Sequence, residues 1–247
     1  MRIKFDTHTH TLASTHAYST FSENASFAAK IGMDGFAVTD HAPALVDSPH
    51  EWHFRNLKNL PRELFGQKIL VGAELNILNA DGLVDLDDEL IAKLDVANAS
   101  IHAQAYSGKG VSDNTSAYEA VVKNPGIDII CHSGSPSYEY DYEYIIKLAG
   151  QYNKLIEINN HSFFVRRENE KNCKRIAELC KKYGTGITVS SDAHFYTDIG
   201  DYRRALQMLD EIDFPEELIM NTTYEKFSRF LREARGKEPG SWTLDNC

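Results

Sequence analysis

Short apolar segments alternate with longer amphipathic segments along most of this 247-residue chain. A short apolar run is typical of a buried strand, whereas apolar residues three and four positions apart indicate a helix. Alternating strands and helices favour a mostly parallel sheet built from βα units, although their order alone allows either a closed barrel or an open sheet. The predicted strands are Arg2–Asp6, Gly35–Thr39, Ile69–Ala73, Leu94–Ile101, Ile127–Cys131, Leu155–Asn159 and Gly186–Ser191.

The amphipathic segments predict the helices that would cover the sheet. They lie near Ser22–Ile31, Phe54–Leu64, Asn114–Lys123, Tyr142–Gln151, Glu170–Tyr183, Asp201–Glu211 and Tyr224–Arg235, with a short helix at Leu86–Lys93. The segment Asn79–Gly82 predicts a hairpin-type turn. Because no Gly/Ser-rich or Pro-rich linker divides the chain, we expect a single domain over residues 1–247. Residues 236–247, which include Pro239 and Gly240, are expected to form a loosely held tail.

The composition argues against several classes of protein. The formal net charge is −10, and a duplex-binding protein needs a basic surface, so nucleic acid is a disfavoured partner. The segment Met1–Asp6 lacks the apolar core of a signal peptide, and no run of about 18 apolar residues predicts a membrane span. We therefore expect a cytoplasmic protein with reduced cysteines and no membrane association.

A histidine or carboxylate residue follows six of the seven predicted strands. In a β/α barrel the carboxyl ends of the strands meet at one face, where the active site is built. Imidazole and carboxylate groups are the usual ligands of zinc, manganese and iron, and burying many of them without metal would leave unpaired polar atoms. The pattern therefore predicts one metal pocket. The strand-end residues are His8, His10, Asp40, His41, Glu74, His102, His132, Asp192 and His194.

Motifs at both ends of the chain resemble the PHP (polymerase and histidinol phosphatase) domain. Asp6-Thr7-His8-Thr9-His10 and Thr39-Asp40-His41 resemble its opening, Ser191-Asp192-Ala193-His194 resembles its closing motif, and the likeness covers essentially the whole chain. The resemblance implies a distorted seven-stranded (β/α)7 TIM-like barrel with three metal ions. The segments that resemble the YcdX-type phosphatases more narrowly are Ala13–Thr20, Trp52–Phe54 and Glu157–Asn160.

The resemblance also implies how the ligands divide among three divalent ions. His8, His10, Glu74 and Asp192 would hold the first ion. Glu74 would bridge to the second, which His102 and His132 also hold, and His16, His41 and His194 would hold the third. His16 lies in the loop after His10 and is nominated by the resemblance alone. The donor set suits zinc best, with manganese or iron as alternatives.

The number of ligands predicts catalytic metal. Nine residues with one bridge cannot fill the four positions of a closed zinc site at every ion, so open positions remain. Three divalent ions beside two carboxylates leave a positive site that suits a phosphate monoester dianion. A metal-activated water would attack phosphorus, with Glu74 and Asp192 as the catalytic carboxylates. We therefore predict a phosphatase for a small phosphorylated substrate. The sequence identifies neither that substrate nor the acid that protonates the leaving group.

Several alternatives stay open. A histidinol-phosphate phosphatase is the nearest, although a different substrate-loop pattern would be expected of it. A PHP nuclease is disfavoured by the acidic charge. A metal-binding module without catalysis would be expected to lack some ligands, whereas all nine are present. A metal-dependent amidohydrolase shares the barrel and the HxH motif, but its bridging lysine has no counterpart at Glu74. A homo-oligomer is also left open.

The roles of four further residues are open from the sequence. For His53 a functional role and a plain hydrogen bond are weighted equally. His161 is interpreted as an ordinary polar residue near the rim. Arg166 and Arg167 follow the sixth strand, where either could contact a phosphate through its planar fork or contribute only surface charge.

Overall fold

The computed structural model describes residues 1–106, 108, 110–165 and 168–243. Within these residues seven strands lie parallel in the order β1, β2, β4, β5, β6, β7, β8, and β3 pairs antiparallel with β4. The strands are β1 (Phe5–Thr9), β2 (Gly35–Val38), β3 (Glu63–Leu64), β4 (Gln67–Asn76), β5 (Val96–Ser100), β6 (Ile129–Ile130), β7 (Leu155–Asn159) and β8 (Ile187–Ser190).

The first and last strands approach each other and nearly close the sheet into a barrel. At the carboxyl end of the strands, Thr9 and Ala193 form an isolated parallel bridge. At the amino end, Asn221 donates its side-chain amide to Phe5 O (2.8 Å) and Val189 O (2.7 Å). A side chain thus replaces part of the β1–β8 ladder, which accounts for the distortion. The predicted seven-stranded TIM-like barrel is confirmed.

Helices cover the outside of the barrel, and the last one fills its base. The α-helices are α1 (Phe21–Lys30), α2 (Glu51–Arg55), α3 (Asp88–Lys93), α4 (Val111–Lys123), α5 (Tyr142–Gln151), α6 (Ser162–Val165), α7 (Asn169–Tyr183), α8 (Arg203–Glu211) and α9 (Tyr224–Arg235). Short 3-10 helices occur at Leu57–Asn59, Pro136–Tyr138, Tyr196–Asp198 and Glu216–Leu218. Phe227 and Leu231 of α9 pack in one apolar cluster with Phe5 and Leu70 from the strands.

The predicted helix over Phe54–Leu64 is wrong. The chain instead forms α2, a single 3-10 turn and then β3. Pro61 lacks a backbone N–H and disfavours helical geometry in the residue before it, so a helix cannot continue through this segment. Phe65 and Gly66 have φ values of 53° and 76°, the backbone of a two-residue hairpin turn that joins β3 to β4.

The first strand lies further along the chain than Arg2–Asp6, so that His8 is inside β1. The pairing register of β1 with β2 shifts between Asp6 and Thr9, and such irregularities re-aim side chains beside active sites. The turn predicted at Asn79–Gly82 is confirmed by Gly82, whose φ is +75°. No helix in the described part of the chain is long and apolar enough to span a membrane.

Candidate metal centre

The nine residues proposed as ligands lie together at the carboxyl end of the strands, around one open cavity. The cavity has a volume of about 640 Å³. His8 and Glu74 are fully buried within β1 and β4, whereas the other residues follow strands or lie in loops. The candidate ligands that line the cavity wall are His16, His41, His102, His132, Asp192 and His194.

Glu74 lies at the centre of this group. Its Oε2 atom faces one set of rings, with His41 Nδ1 at 2.7 Å and His8 Nε2 at 3.3 Å. Its Oε1 atom faces another set, with His132 Nε2 at 2.7 Å and His102 Nε2 at 3.3 Å. A carboxylate whose two oxygens face separate groups of imidazoles has the arrangement that a bridging ligand needs.

Asp192 forms the opposite side of the centre. Its Oδ1 atom lies 3.0 Å from His10 Nε2 and 3.5 Å from His8 Nε2. Asp192 has a φ of 55° and His132 a φ of 29°, in the left-handed region that non-glycine residues rarely adopt. Such backbone strain is retained where the surrounding structure holds a functional geometry in place.

The three outer histidines are close to one another. The donor atoms of His10, His41 and His194 lie within 4.8 Å of one another. His16 Nε2 lies 3.2 Å from His41 Nε2, and the His16 ring is 4.7 Å from the His194 ring. The structure thus brings His16, which the strand-end pattern did not identify, next to the residues with which the resemblance grouped it.

The residues present fit divalent metal. His8 Nε2, His41 Nδ1 and Glu74 Oε2 are buried and have no hydrogen-bond partner among the described residues. His41 Nδ1 and Glu74 Oε2 are close but not aligned as donor and acceptor. Buried polar atoms that converge without pairing are costly unless a further group satisfies them, and imidazole with carboxylate is the donor set of zinc-class cations.

Electrostatics favours the ionised state of both carboxylates and the neutral state of His10, whereas nearby carboxylates outweigh burial and raise the pKa of His8, His41 and His132. Burial raises the pKa of Glu74, but the charges of His41 and His8 outweigh it and hold this pKa well below its usual range. For Asp192, burial is likewise outweighed by His8 and by the hydrogen bond to His10, so its pKa is also well below normal. Burial and the neighbouring His41 lower the pKa of His10 to about 3. Metal binding requires ionised carboxylates and neutral imidazoles.

Glu157 supports the centre from beneath, although the sequence indicated only that it lies in a segment resembling the YcdX-type phosphatases. Its Oε1 atom is 2.7 Å from His8 Nδ1, and its Oε2 atom accepts a hydrogen bond from the His132 backbone N–H at 2.7 Å. Ser190 Oγ donates to Oε1 at 2.5 Å. The available signals were that resemblance and a carboxylate between two apolar residues of strand β7, Ile156 and Ile158.

Two other acceptors hold ligand rings in the same way. Asn76 Oδ1 lies 2.7 Å from His102 Nδ1, and Asp47 Oδ2 lies 2.5 Å from His16 Nδ1. An acceptor on the far ring nitrogen fixes the tautomer and turns the other nitrogen toward the metal. Neither pair could be recognised from sequence spacing, because each joins separate loops or strands.

The residues whose roles were open fall into three groups. His53 Nε2 lies 3.4 Å from Asp40 Oδ2. The Asp40 carboxylate is buried and accepts hydrogen bonds from the Thr11 backbone N–H (2.7 Å) and the Ser14 hydroxyl (2.8 Å), so it ties down the loop after β1. His161 lines the cavity, with its ring stacked 5.9 Å from that of His194. The remaining two, Arg166 and Arg167, lie outside the described residues.

This barrel and its histidine-rich mouth agree with the comparisons to known proteins. The profile of the PHP domain family matches residues 6–235, and the chain belongs to that family. A probable phosphatase of Acetivibrio thermocellus is 42% identical over 235 residues, covering 95% of this chain and 98% of that protein. A probable phosphatase of Caldanaerobacter subterraneus is also 42% identical, covering 98% of this chain and 97% of that protein.

A solved structure shares the fold at low sequence identity. The histidinol phosphate phosphatase of Lactococcus lactis, determined with zinc, L-histidinol and phosphate, aligns with a TM-score of 0.59 and 15% identity. The alignment covers 87% of this chain and 95% of that one. At this identity the likeness establishes the common barrel.

Proposed function

We propose that this chain is a metal-dependent phosphatase that hydrolyses a small phosphate monoester at a site for three divalent ions. The observation that carries the proposal is the Glu74 carboxylate, whose two oxygens face separate groups of imidazoles at the base of an open cavity. The relatives that match nearly the whole chain are named probable phosphatases, which supports the same reaction class. We further propose that residues 1–247 act as one domain.

The proposed ligand sets are those that the family resemblance implies, and they are supported by the closeness of His8, His10 and Glu74 and by that of His41 and His194. His8, His10, Glu74 and Asp192 would hold one ion, His102 and His132 would share Glu74 at a second, and His16, His41 and His194 would hold a third. Divalent ions bound there would neutralise the charge of the phosphate and supply a water with a pKa of about 7 to attack phosphorus, while the ester P–O bond breaks and the alcohol leaves. We propose zinc because of this donor set and because the Lactococcus lactis structure contains it.

The chain's own residues orient and shield this chemistry. Glu157 holds the Nδ1 side of His8, so that Nε2 faces the centre. The Asp192 side chain is 12% exposed and borders the cavity, with Oδ2 accepting a hydrogen bond from Asn159 at 3.0 Å. We propose that Asp192 takes the proton of the attacking water. The cavity is larger than a phosphate group, so the rest of it can hold the leaving group of a small substrate.

The proposal is tested by activity and metal content together. Protein purified without chelator should carry two to three transition-metal ions per chain and hydrolyse p-nitrophenyl phosphate. Activity should disappear with chelator and return with added zinc. A bis-substituted phosphodiester is the control substrate, since it lacks the dianion that a strongly positive centre favours. Full monoesterase activity in protein shown to be metal-free would overturn the proposal.

A further inference from the structure

Three candidate ligand histidines share one supporting arrangement. Each directs one ring nitrogen toward the centre and contacts a side-chain oxygen with the other: His8 with Glu157, His102 with Asn76, and His16 with Asp47. Loss of such an acceptor typically lowers metal affinity about 10- to 100-fold. Because the pairs are alike in chemistry, the differences in their surroundings indicate how firmly each ligand is held.

The His16–Asp47 pair is far more exposed than the deepest pair. The side chains of His8 and Glu157 are 0% and 1% exposed, whereas those of His16 and Asp47 are 43% and 41% exposed. Water competes for an exposed hydrogen bond, and salt screens an exposed charge. The outer pair therefore restrains its imidazole less than the inner pair does.

The backbone around the outer pair is fixed even though the side chains are exposed. Asp47 O accepts hydrogen bonds from Thr15 N (3.1 Å) and Thr15 Oγ1 (3.0 Å). These contacts join the loop after β1 to the loop after β2 through the main chain of Asp47. Removing the Asp47 carboxylate should consequently free the His16 ring while both loops stay in place.

We propose that Asp47 is the positioning residue of an exchangeable outer site, at which His16, His41 and His194 bind a zinc-class cation that dissociates before the deeper ions. The inference rests on the proposed function, because it assigns unequal lability to the ions of that centre. Its consequence is that free metal concentration, rather than protein concentration, sets the fraction of chains with a complete centre.

The test measures metal content after equilibration in buffers of graded free zinc. Wild type should lose its ions in two steps, the outer ion first. Asp47→Ala should move only the outer step, to free zinc about 10-fold higher, at the low end of the effect of such acceptors because the pair is exposed. Asp47→Asn keeps an acceptor oxygen and should move that step less. Asp81→Asn, which removes an exposed carboxylate from the Asn79–Gly82 turn, is the matched control and should titrate like wild type.

Three outcomes would overturn the inference. A zinc titration of Asp47→Ala that matches Asp81→Asn, with a native circular dichroism spectrum, would remove Asp47 from any positioning role. Simultaneous release of all ions from active wild type would eliminate the exchangeable site while leaving the proposed phosphatase intact. Absence of bound zinc from active wild type at every concentration would overturn the proposed function as well.

Discussion

The two ends of the barrel differ in how the buried charged residues Glu74 and Arg235 are paired. At the carboxyl end, Glu74 is fully buried among imidazoles, and its Oε2 atom has no hydrogen-bond partner in the described chain. At the amino end, Arg235 and Asp128 are 5% and 1% exposed and form a salt bridge at 2.7 Å. Arg235 also donates to the backbone carbonyls of Ile91 and Gly126. The unpaired Glu74 oxygen thus leaves a position for a ligand, whereas the Arg235–Asp128 pair leaves none.

The amino end is closed by the C-terminal part of the chain. Helix α9 contributes apolar side chains to the barrel interior and ends with Arg235. Beyond it, Lys237 donates to Leu94 O at 2.8 Å, and the Gly240 backbone N–H donates to Asp95 Oδ1 at 2.7 Å. This end resembles the stabilising face of a β/α barrel, opposite the face that carries chemistry.

The largest expected effect is at the amino end. Arg235→Ala leaves the buried Asp128 carboxylate without its ion-pair partner and should lower the free energy of unfolding by about 3–5 kcal/mol. Denaturant titration in excess chelator measures this without a contribution from metal binding. Arg203→Ala, which breaks a pair at an 84% exposed arginine, should cost about 1 kcal/mol or less. An Arg235→Ala variant that loses metal but keeps its stability would contradict the assignment of Arg235 to stability rather than to the metal site.

The second prediction concerns Glu74 at the carboxyl end of the barrel. Glu74→Gln removes the charge that faces both groups of imidazoles, so turnover should fall at least ~100-fold, as for single electrostatic groups in other active sites. Metal content should fall with it, while the metal-free variant stays folded. Glu178→Gln, on the exposed face of α7, should match wild type in turnover and metal content. A Glu74→Gln variant with normal turnover and metal content would contradict the assignment.

The third prediction concerns Glu157, which lies beneath the candidate metal centre. Glu157→Gln keeps an oxygen for His8 Nδ1 but loses the negative charge, so metal affinity should fall about 10- to 100-fold. Raising free zinc should restore most of the turnover, because the ligands themselves remain. Zinc titration of turnover and of bound metal measures both quantities. A permanent loss of turnover at saturating zinc would instead indicate that Glu157 acts on the substrate.

Sequence information was sufficient wherever the signal was local. Apolar runs identified the seven parallel strands but not β3, and a residue such as His102 stands out because it directly follows such a run. The partners of the supporting acceptors could not be predicted in this way, since Glu157 is 149 positions from His8, and a single sequence does not show which distant residues meet. His16 lies in a loop, where no periodicity operates, and only the family resemblance nominated it. The prediction of a helix over Phe54–Leu64 overlooked Pro61, which a helix cannot continue through.

The smallest expected effect is a dependence of stability on pH, caused by Lys237 at the amino end of the barrel. Burial, together with the charge of Arg235, lowers the pKa of Lys237 to about 8. An unfolded lysine has a pKa of about 10.4, so the folded chain binds this proton more weakly than the unfolded chain does. The contribution to stability is thus fully present above about pH 10.4 and is lost as pH falls through about 8. Because Lys237 remains partly exposed, the effect should be small.

Lys237→Met removes this titration while keeping most of the side-chain length. The difference in free energy of unfolding between wild type and Lys237→Met should therefore shift in favour of wild type between pH 7.5 and about 10, measured in chelator so that metal ligands do not contribute. The exposed Lys171→Met serves as the control, and its difference from wild type should stay constant over the same range. A constant difference for Lys237→Met, or one that shifts against wild type, would show that the amine is charged and fully satisfied by its carbonyl partners at neutral and alkaline pH alike.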